Sequence, residues 1–450
     1  MRGKRARNKP RVHQLKCLHR QPASGLFWRR SSRQCSAGKV LRTIRRVSTL
    51  KPARMNWRIV SISRNGRTIP VPWDRKGALW RKFNFLLLAT GIAASARPSD
   101  FDSRGGQFIG FSHFSSFKKE QAQGGNELIL TSPEVVSGLK SDEIVASWNV
   151  LNPAGASLKC EIRGIYPGHK TKFYIMGLWS GDRSRHPRES VRNQKDDDGD
   201  VLTDTLVLKM PCERFQVRLT LEAEHGSRPK LKFLGLSFLD SKATPSLLPP
   251  NRRAWGKLLH VPERSQLRYP GGKSLCSPTT VSMLLSYWSG QLDRPELDHD
   301  VPDVVQGVYD PGWQGTGNWS FNTAYAGSFK GLRAYVTRLS DLSEVEDWIA
   351  SGIPVGLSVC YNKLRGISAP PSGHLVVCVG FTSDGEVILN DPGTTDNVQK
   401  TFPRTAVNAA WANSRNTVYL IYPENARVPK DRFRHWASRP RNNWLFGKGE

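Results

Sequence analysis

Several things the chain lacks narrow its class before any motif is read. No stretch of its 450 residues approaches the ~18–20 uninterrupted apolar residues of a membrane span, which excludes a multi-pass membrane protein. Acidic residues are almost missing from one end: Asp74 is the one Asp or Glu in residues 1–96, where 24 Lys and Arg fall. That segment holds +23 of the formal charge of +29, so the rest is a mildly basic body rather than a nucleic-acid-binding surface. Cysteine is scarce, with seven in all. An apolar share of 38% over this length is ample for two or three domains with packed cores.

Residues 1–54 are rich in Arg, Ser and Lys and show no sustained apolar period. Such a stretch cannot bury enough surface to offset chain entropy, and residues 1–82 are expected to be a basic, disordered segment. Arg81 and Lys82 then precede the apolar run from Phe83 to Ala93, and Ala94-Ser95-Ala96 follows before Arg97-Pro98. A basic flank, a short apolar core and an Ala-x-Ala site in that order make residues 83–96 read as a secretory signal, although signals begin at the N-terminus. The readings that compete are a true start downstream of residue 70, an organellar transit peptide, and a basic nucleic-acid arm. An ordinary buried helix is the bland alternative for 83–96. The first fits best and makes the protein exported, secreted or otherwise extracytoplasmic.

From residue 105 to 240 apolar residues alternate with polar ones. Leu158, Cys160 and Ile162 form one such row, and Phe215, Val217, Leu219 and Leu221 another. Further strand-like runs cover 143–150, 172–179, 203–208 and 231–239, with Gly, Pro, Asn and Asp between them. Short strands separated by turn signals indicate an antiparallel β-sandwich of accessory type. The acidic run Asp196-Asp197-Asp198-Gly199-Asp200 invites a calcium loop, but Thr205 stands where a bidentate Glu is needed, so a loop of solvated acids is expected. Trp148 and Trp179 offer a sugar platform, which would give the sandwich a carbohydrate or cell-wall ligand; strand tryptophans are otherwise core. A Pro-rich linker, 241–256, comes next.

Five cysteines lie beyond the leader: Cys160, Cys212, Cys276, Cys360 and Cys378. An odd number leaves a free thiol in an exported protein. Cys160 with Cys212, and Cys360 with Cys378, are open either to pairing or to buried unpaired thiols. Cys276 follows a glycine loop, Gly271-Gly272-Lys273-Ser274-Leu275, and opens a helix. Ser277 suits the N-cap and Pro278 the first turn, while Val281, Leu284, Leu285 and Trp288 form one apolar face. Unpaired N–H groups and the positive dipole end there favour thiolate over thiol, as a nucleophile requires. His374 opens a strand, and Asn390-Asp391 closes the next one across the Ser383–Gly385 turn. An acceptor at that point would fix the imidazole tautomer and aim its other nitrogen at sulfur. Gln266, ten residues before Cys276, offers a side-chain amide beside the Cys276 backbone N–H as oxyanion donors.

These residues resemble the papain-like cysteine peptidases of the C-thirty-nine-like family. The resemblance rests on Glu263–Gln266, Leu275–Thr279, Gly352–Val355, Gly373–Val377 and Asn390–Pro392, and spans about 259–423. It implies an α+β papain-like peptidase domain over 257–425 behind the sandwich, of a stand-alone exported bacterial type, since no transporter region is present. It implies Cys276 as nucleophile, His374 as base, Asp391 as the orienting acid with Asn390 as runner-up, and Gln266 as oxyanion donor. No cofactor or metal is implied; the partner is a peptide or peptide-like substrate. Two other functions stay open: an inactive cell-surface binding protein, or an acyl or peptidyl transferase using the same site. Trp313 and Trp319 either border a substrate groove or pack within a Gly-rich loop. Leu342, Val345, Trp348 and Ile349 read as core, and 426–450 as a solvated basic tail.

Overall fold

The computed structural model describes residues 61–64, 67–70, 104–122, 125–151, 155–224, 228–432 and 435–436. The apolar run of 83–96 lies outside them. Among the described residues no helix is long and apolar enough to cross a membrane. The chain divides into two compact units, one of which contains residues 98–450.

In the other unit, β1 (Ser61–Arg64) and β2 (Arg67–Pro70) pair as an antiparallel hairpin, with Arg64 opposite Arg67. The rest of 1–82, where disorder is expected, lies outside the described residues.

The β-rich part of the larger unit runs β3 (Gly106–Phe111), β4 (Lys118–Gln121), β5 (Glu127–Thr131), β6 (Val135–Leu151), β7 (Ala156–Tyr166), β8 (His169–Lys170), β9 (Tyr174–Ser180), β10 (Gly199–Leu202), β11 (Thr205–Ala223) and β12 (Lys230–Leu239). Every pairing among them is antiparallel. The expected separate strands at 203–208 and 215–221 are one strand, β11. Its register against β6 slips between Val207 and Arg214, around Pro211, so the chain bends instead of ending. The first part of β11 lies between β6 and β10, and the last part between β7 and β5. One hydrogen-bonded system thus covers a core that includes Trp148, Cys160, Phe215, Leu219 and Phe238, while Phe108, Val145 and Phe233 join the core of the part that follows. Trp148 and Trp179 are both buried in that core, so neither presents the sugar platform that the sequence offered.

The acidic loop has an internal account. Asp196 accepts from the Tyr174 hydroxyl and from the N–H groups of Asp198 and Gly199, and Lys172 Nζ lies 2.9 Å away. Burial would raise its pKa, but these donors outweigh that and hold the carboxylate well below its ordinary range.

The segment after β12 is laid against the rest of the unit. Leu248 N–H donates to Asp341, Ser343 Oγ to the Pro249 carbonyl, and Asn251 to Glu346 and Asp347. Beyond it come α1 (Cys276–Leu292), α2 (Val301–Val308), α3 (Trp319–Gly327), β13 (Leu332–Arg338), α4 (Leu342–Ala350), β14 (Val355–Cys360), α5 (Tyr361–Leu364), β15 (Gly373–Phe381), β16 (Val387–Asn390), β17 (Gln399–Phe402), α6 (Arg404–Trp411) and β18 (Thr417–Pro423). The six strands form one antiparallel sheet in the order β13-β18-β14-β15-β16-β17. Helix α1 packs on β15 and β18 to one side and on α2 and α3 to the other. Residues 277–288 are therefore buried on every side, not along the single stripe that the apolar spacing suggested.

In the described part of the tail, His435 and Trp436 are buried where solvated residues are expected. Arg432 pairs with Asp347, Phe108 N–H donates to the His435 carbonyl, and the Trp436 ring meets Phe108, Tyr335 and Trp348. Apolar aromatic surface on α4, β13 and β3 draws this segment down; the isolated charge pattern gave no sign of it.

Candidate active site

Cys276 is the first residue of α1, and the cap position belongs to Leu275 rather than Ser277. The preceding turn, Gly272–Ser274, is entered through Gly271 at a φ of 73°, a left-handed conformation that glycine adopts without strain. Ser277, one residue inside the helix, shares a 2.8 Å hydroxyl contact with Tyr419 instead of capping. No acid stands in the first helical turn, so its positive end is not neutralised. Cys276 is partly exposed and thus reachable.

His374 sits on β15, and the β15–β16 pairing sets Val377 opposite Asn390, which brings the next residue, Asp391, beside the imidazole. His374 Nε2–H donates to Asp391 Oδ1 at 2.7 Å. That leaves Nδ1 to interact with the Cys276 sulfur, which favours the charged imidazole. Asp391 Oδ1 also accepts from Gly393 N–H at 2.9 Å, and Oδ2 from the Tyr361 hydroxyl at 3.1 Å. The Tyr361 ring stacks on the imidazole with centroids 3.9 Å apart. A side chain at Gly393 would run into both rings, at 2.5 Å from the Tyr361 oxygen and 3.0 Å from His374 Cε1.

The electrostatics follow from this packing. Burial pushes the Cys276 thiol up, but the hydrogen bond and charge of His374, with the N–H groups of Leu375 and Ser277, outweigh it and hold the thiol below its ordinary value. Burial pushes His374 down, yet Asp391 and Cys276 reverse that and raise it to about 9. Asp391 is raised by burial and lowered more by His374, Gly393 and Tyr361, so it stays ionised. The three groups can thus hold a thiolate–imidazolium pair at neutral pH.

Gln266 is buried between the two loops. Its backbone N–H donates to the Pro392 carbonyl at 2.9 Å, and its Nε2 to the Gly272 carbonyl at 2.7 Å. That bond engages one of the amide's two hydrogens. Asn390 faces elsewhere: it donates to the Val261 carbonyl and accepts from Gln399, so the runner-up for the orienting role does not meet the imidazole. None of the five described cysteines forms a disulfide; Cys160, Cys212, Cys360 and Cys378 are buried free thiols. Among the described residues no group of three or more His, Cys, Asp or Glu side chains is placed to hold a metal.

Sequence reasoning missed Tyr361. It lies 13 residues before His374, at the start of a four-residue helix, and only a Cys-Tyr step after the strand Val355–Cys360 marked it. Trp313 packs inside its own loop: a Cβ at Gly315 would lie 2.5 Å from the Trp313 ring.

A cysteine on the first turn of a central helix, facing a His–Asp pair on an antiparallel sheet, defines the papain-like class. Residues 258–419 match the model of the "Peptidase_C39 like family". Residues 127–238 match that of the "Peptidase C39 N-terminal domain". Residues 258–419 are thus a C-thirty-nine-like peptidase domain, and 127–238 the N-terminal domain that accompanies such peptidases. No curated protein matches it. Among solved structures, one titled "Structure of infectious bursal disease virus Gt strain" is 8% identical over 31% of this chain and 33% of that chain. Its TM-score of 0.17 is too low to carry any argument.

Proposed function

We propose that the protein is an exported cysteine peptidase that cleaves peptide or similar amide bonds through an acyl-enzyme. The hydrogen bond from His374 to Asp391, with the lowering of the Cys276 thiol by His374, supports this most directly. The Cys276 thiolate attacks the carbonyl carbon, and the π electrons move to oxygen, which the backbone N–H of Cys276 and the Gln266 amide would stabilise. As the C–N bond breaks, the imidazolium of His374 gives its proton to the leaving amine. Neutral His374 then takes a proton from water, whose oxygen attacks the thioester; the acid leaves and the thiol is restored. Asp391 holds the imidazole and stabilises its charged form throughout. Export rests on the signal-like order of residues 81–96.

The test is alkylation of Cys276 by a mild haloacetamide near neutral pH, alongside turnover of a mixed peptide library. Wild type should label fast and cleave peptides. Cys276→Ala should abolish both, and His374→Ala should slow labelling at least tenfold. A silent thiol in wild type would favour a binding protein, and amine-dependent products with little hydrolysis a transferase.

A further inference from the structure

The β-rich domain touches the peptidase part at a place that leads directly to the catalytic turn. Asp310, fully buried, opens the loop between α2 and α3. Its Oδ1 accepts the backbone N–H of Ser190 from the β9–β10 connection at 2.9 Å, and that of Trp313 at 3.3 Å. Its Oδ2 accepts from Asn318 Nδ2 at 2.9 Å. The approach is tight: a Cβ on Gly312 would sit 2.1 Å from the Ser190 carbonyl oxygen. Arg188 reinforces the contact by donating to the Gln306 carbonyl at the end of α2. At the far side of the same loop, Asn322 Nδ2 donates to the Thr316 carbonyl at 2.8 Å, and Thr316 Oγ1 donates to the Ser274 carbonyl at 3.1 Å. Ser274 ends the turn that precedes Cys276.

We infer that the β-rich domain buttresses the catalytic turn: Ser190 holds Asp310, Asp310 shapes the 309–318 loop, and Thr316 fixes the turn before Cys276, whose own side chain is carried by α1 where it packs on β15 and β18. This rests on Cys276 being the nucleophile. Asp310 and Thr316 touch neither sulfur nor imidazole, so they are positioning residues. The signature is specific. Both oxyanion donors depend on this turn, the Cys276 N–H because it follows the turn and the Gln266 amide because it is tied to the Gly272 carbonyl. The His374–Asp391 pair is anchored on β15 and on the residue after β16, and meets the turn through the bond from Gln266 N–H to the Pro392 carbonyl. Loosening the turn therefore weakens transition-state stabilisation and leaves the thiolate–imidazolium pair intact.

Three variants of the full chain test this: Thr316→Val, which removes the hydroxyl and keeps the shape; Thr316→Ser, which restores it; and Gly312→Ala, which forces the loop from Ser190. In Thr316→Val, kcat should fall about fivefold, the loss of one hydrogen bond's worth, with KM and the pH profile of Cys276 alkylation unchanged. Thr316→Ser should recover most of the rate. Hydrogen–deuterium exchange of a peptide covering 271–276 should quicken in Thr316→Val and in Gly312→Ala. Equal kcat and equal exchange in wild type and Thr316→Val would overturn the inference, whether or not Gly312→Ala folds. A shifted alkylation profile would also overturn it. If wild type cleaves no amide while exchange at 271–276 still responds to these substitutions, the coupling stands and the peptidase reading falls.

Discussion

His374 works between two unlike neighbours, and its behaviour follows from both. Asp391 presents a carboxylate in line with Nε2, while the Tyr361 ring covers one face of the imidazole and its hydroxyl reaches the same carboxylate. Burial among these groups makes the charged pair depend on Asp391 rather than on water. Turnover needs sulfur deprotonated and the imidazole protonated. Activity should therefore rise as the thiol ionises, from below its ordinary value, and fall as pH passes through about 9, where His374 loses its proton. In Asp391→Asn the charge that holds His374 up is gone. The alkaline limb should then move to lower pH by about one to two pH units, with a lower plateau, in a kcat/KM profile. A limb that stays in place would show that Asp391 does not govern the imidazole.

Among the elements, β13 lies at one edge of the six-stranded sheet. An edge strand has free N–H and C=O groups that invite mispairing. Here β6 supplies side chains in place of a strand. Asn149 Nδ2 donates to the Ala334 carbonyl at 2.7 Å, its Oδ1 accepts Ala334 N–H at 3.0 Å, and Ser147 Oγ accepts Val336 N–H at 2.9 Å. Asn149 has no exposed surface. Asn149→Ala would leave two buried backbone groups unpaired and should destabilise the protein by about 3 kcal/mol in denaturant unfolding. A loss under about 0.5 kcal/mol, the level of an ordinary surface substitution, would show that water replaces the amide freely. Little of this was readable beforehand. Alternation located β6, yet which side chain meets which foreign strand depends on how two sheets are set together, and a linear pattern does not encode that.

For the larger unit as a whole, the consequence is that its two halves share one structure. The Pro-rich segment is tied to α4, the tail reaches from α4 back to β3, and Asp204 accepts the N–H of Trp319 at the start of α3 at 2.6 Å. Residues 257–450 made without the β-rich domain would expose the β13 edge and strip the loop at 309–318 of Ser190. That fragment should be insoluble, or bind a hydrophobic dye and lack near-ultraviolet circular dichroism, where the whole chain gives a native spectrum. A soluble fragment with a cooperative transition at the same temperature would show that the halves are energetically independent.

By itself the amino-acid order determined the features that local chemistry writes: a glycine turn running into a helix that begins at Cys276, a strand opened by His374, a strand closed by Asp391, and alternation through 105–240. Each depends on propensities and spacings within a few residues, and the family resemblance joins them into one site. What only the tertiary structure decided are the contacts made across the chain. Tyr361 lies over His374, Asn390 turns away to Val261, Thr316 holds Ser274, and Asn149 closes β13. The same holds for the four buried cysteines, whose sulfurs could have paired by spacing but stay apart. Distances between residues remote in sequence arise from the packing of whole sheets and helices, and no local pattern contains them.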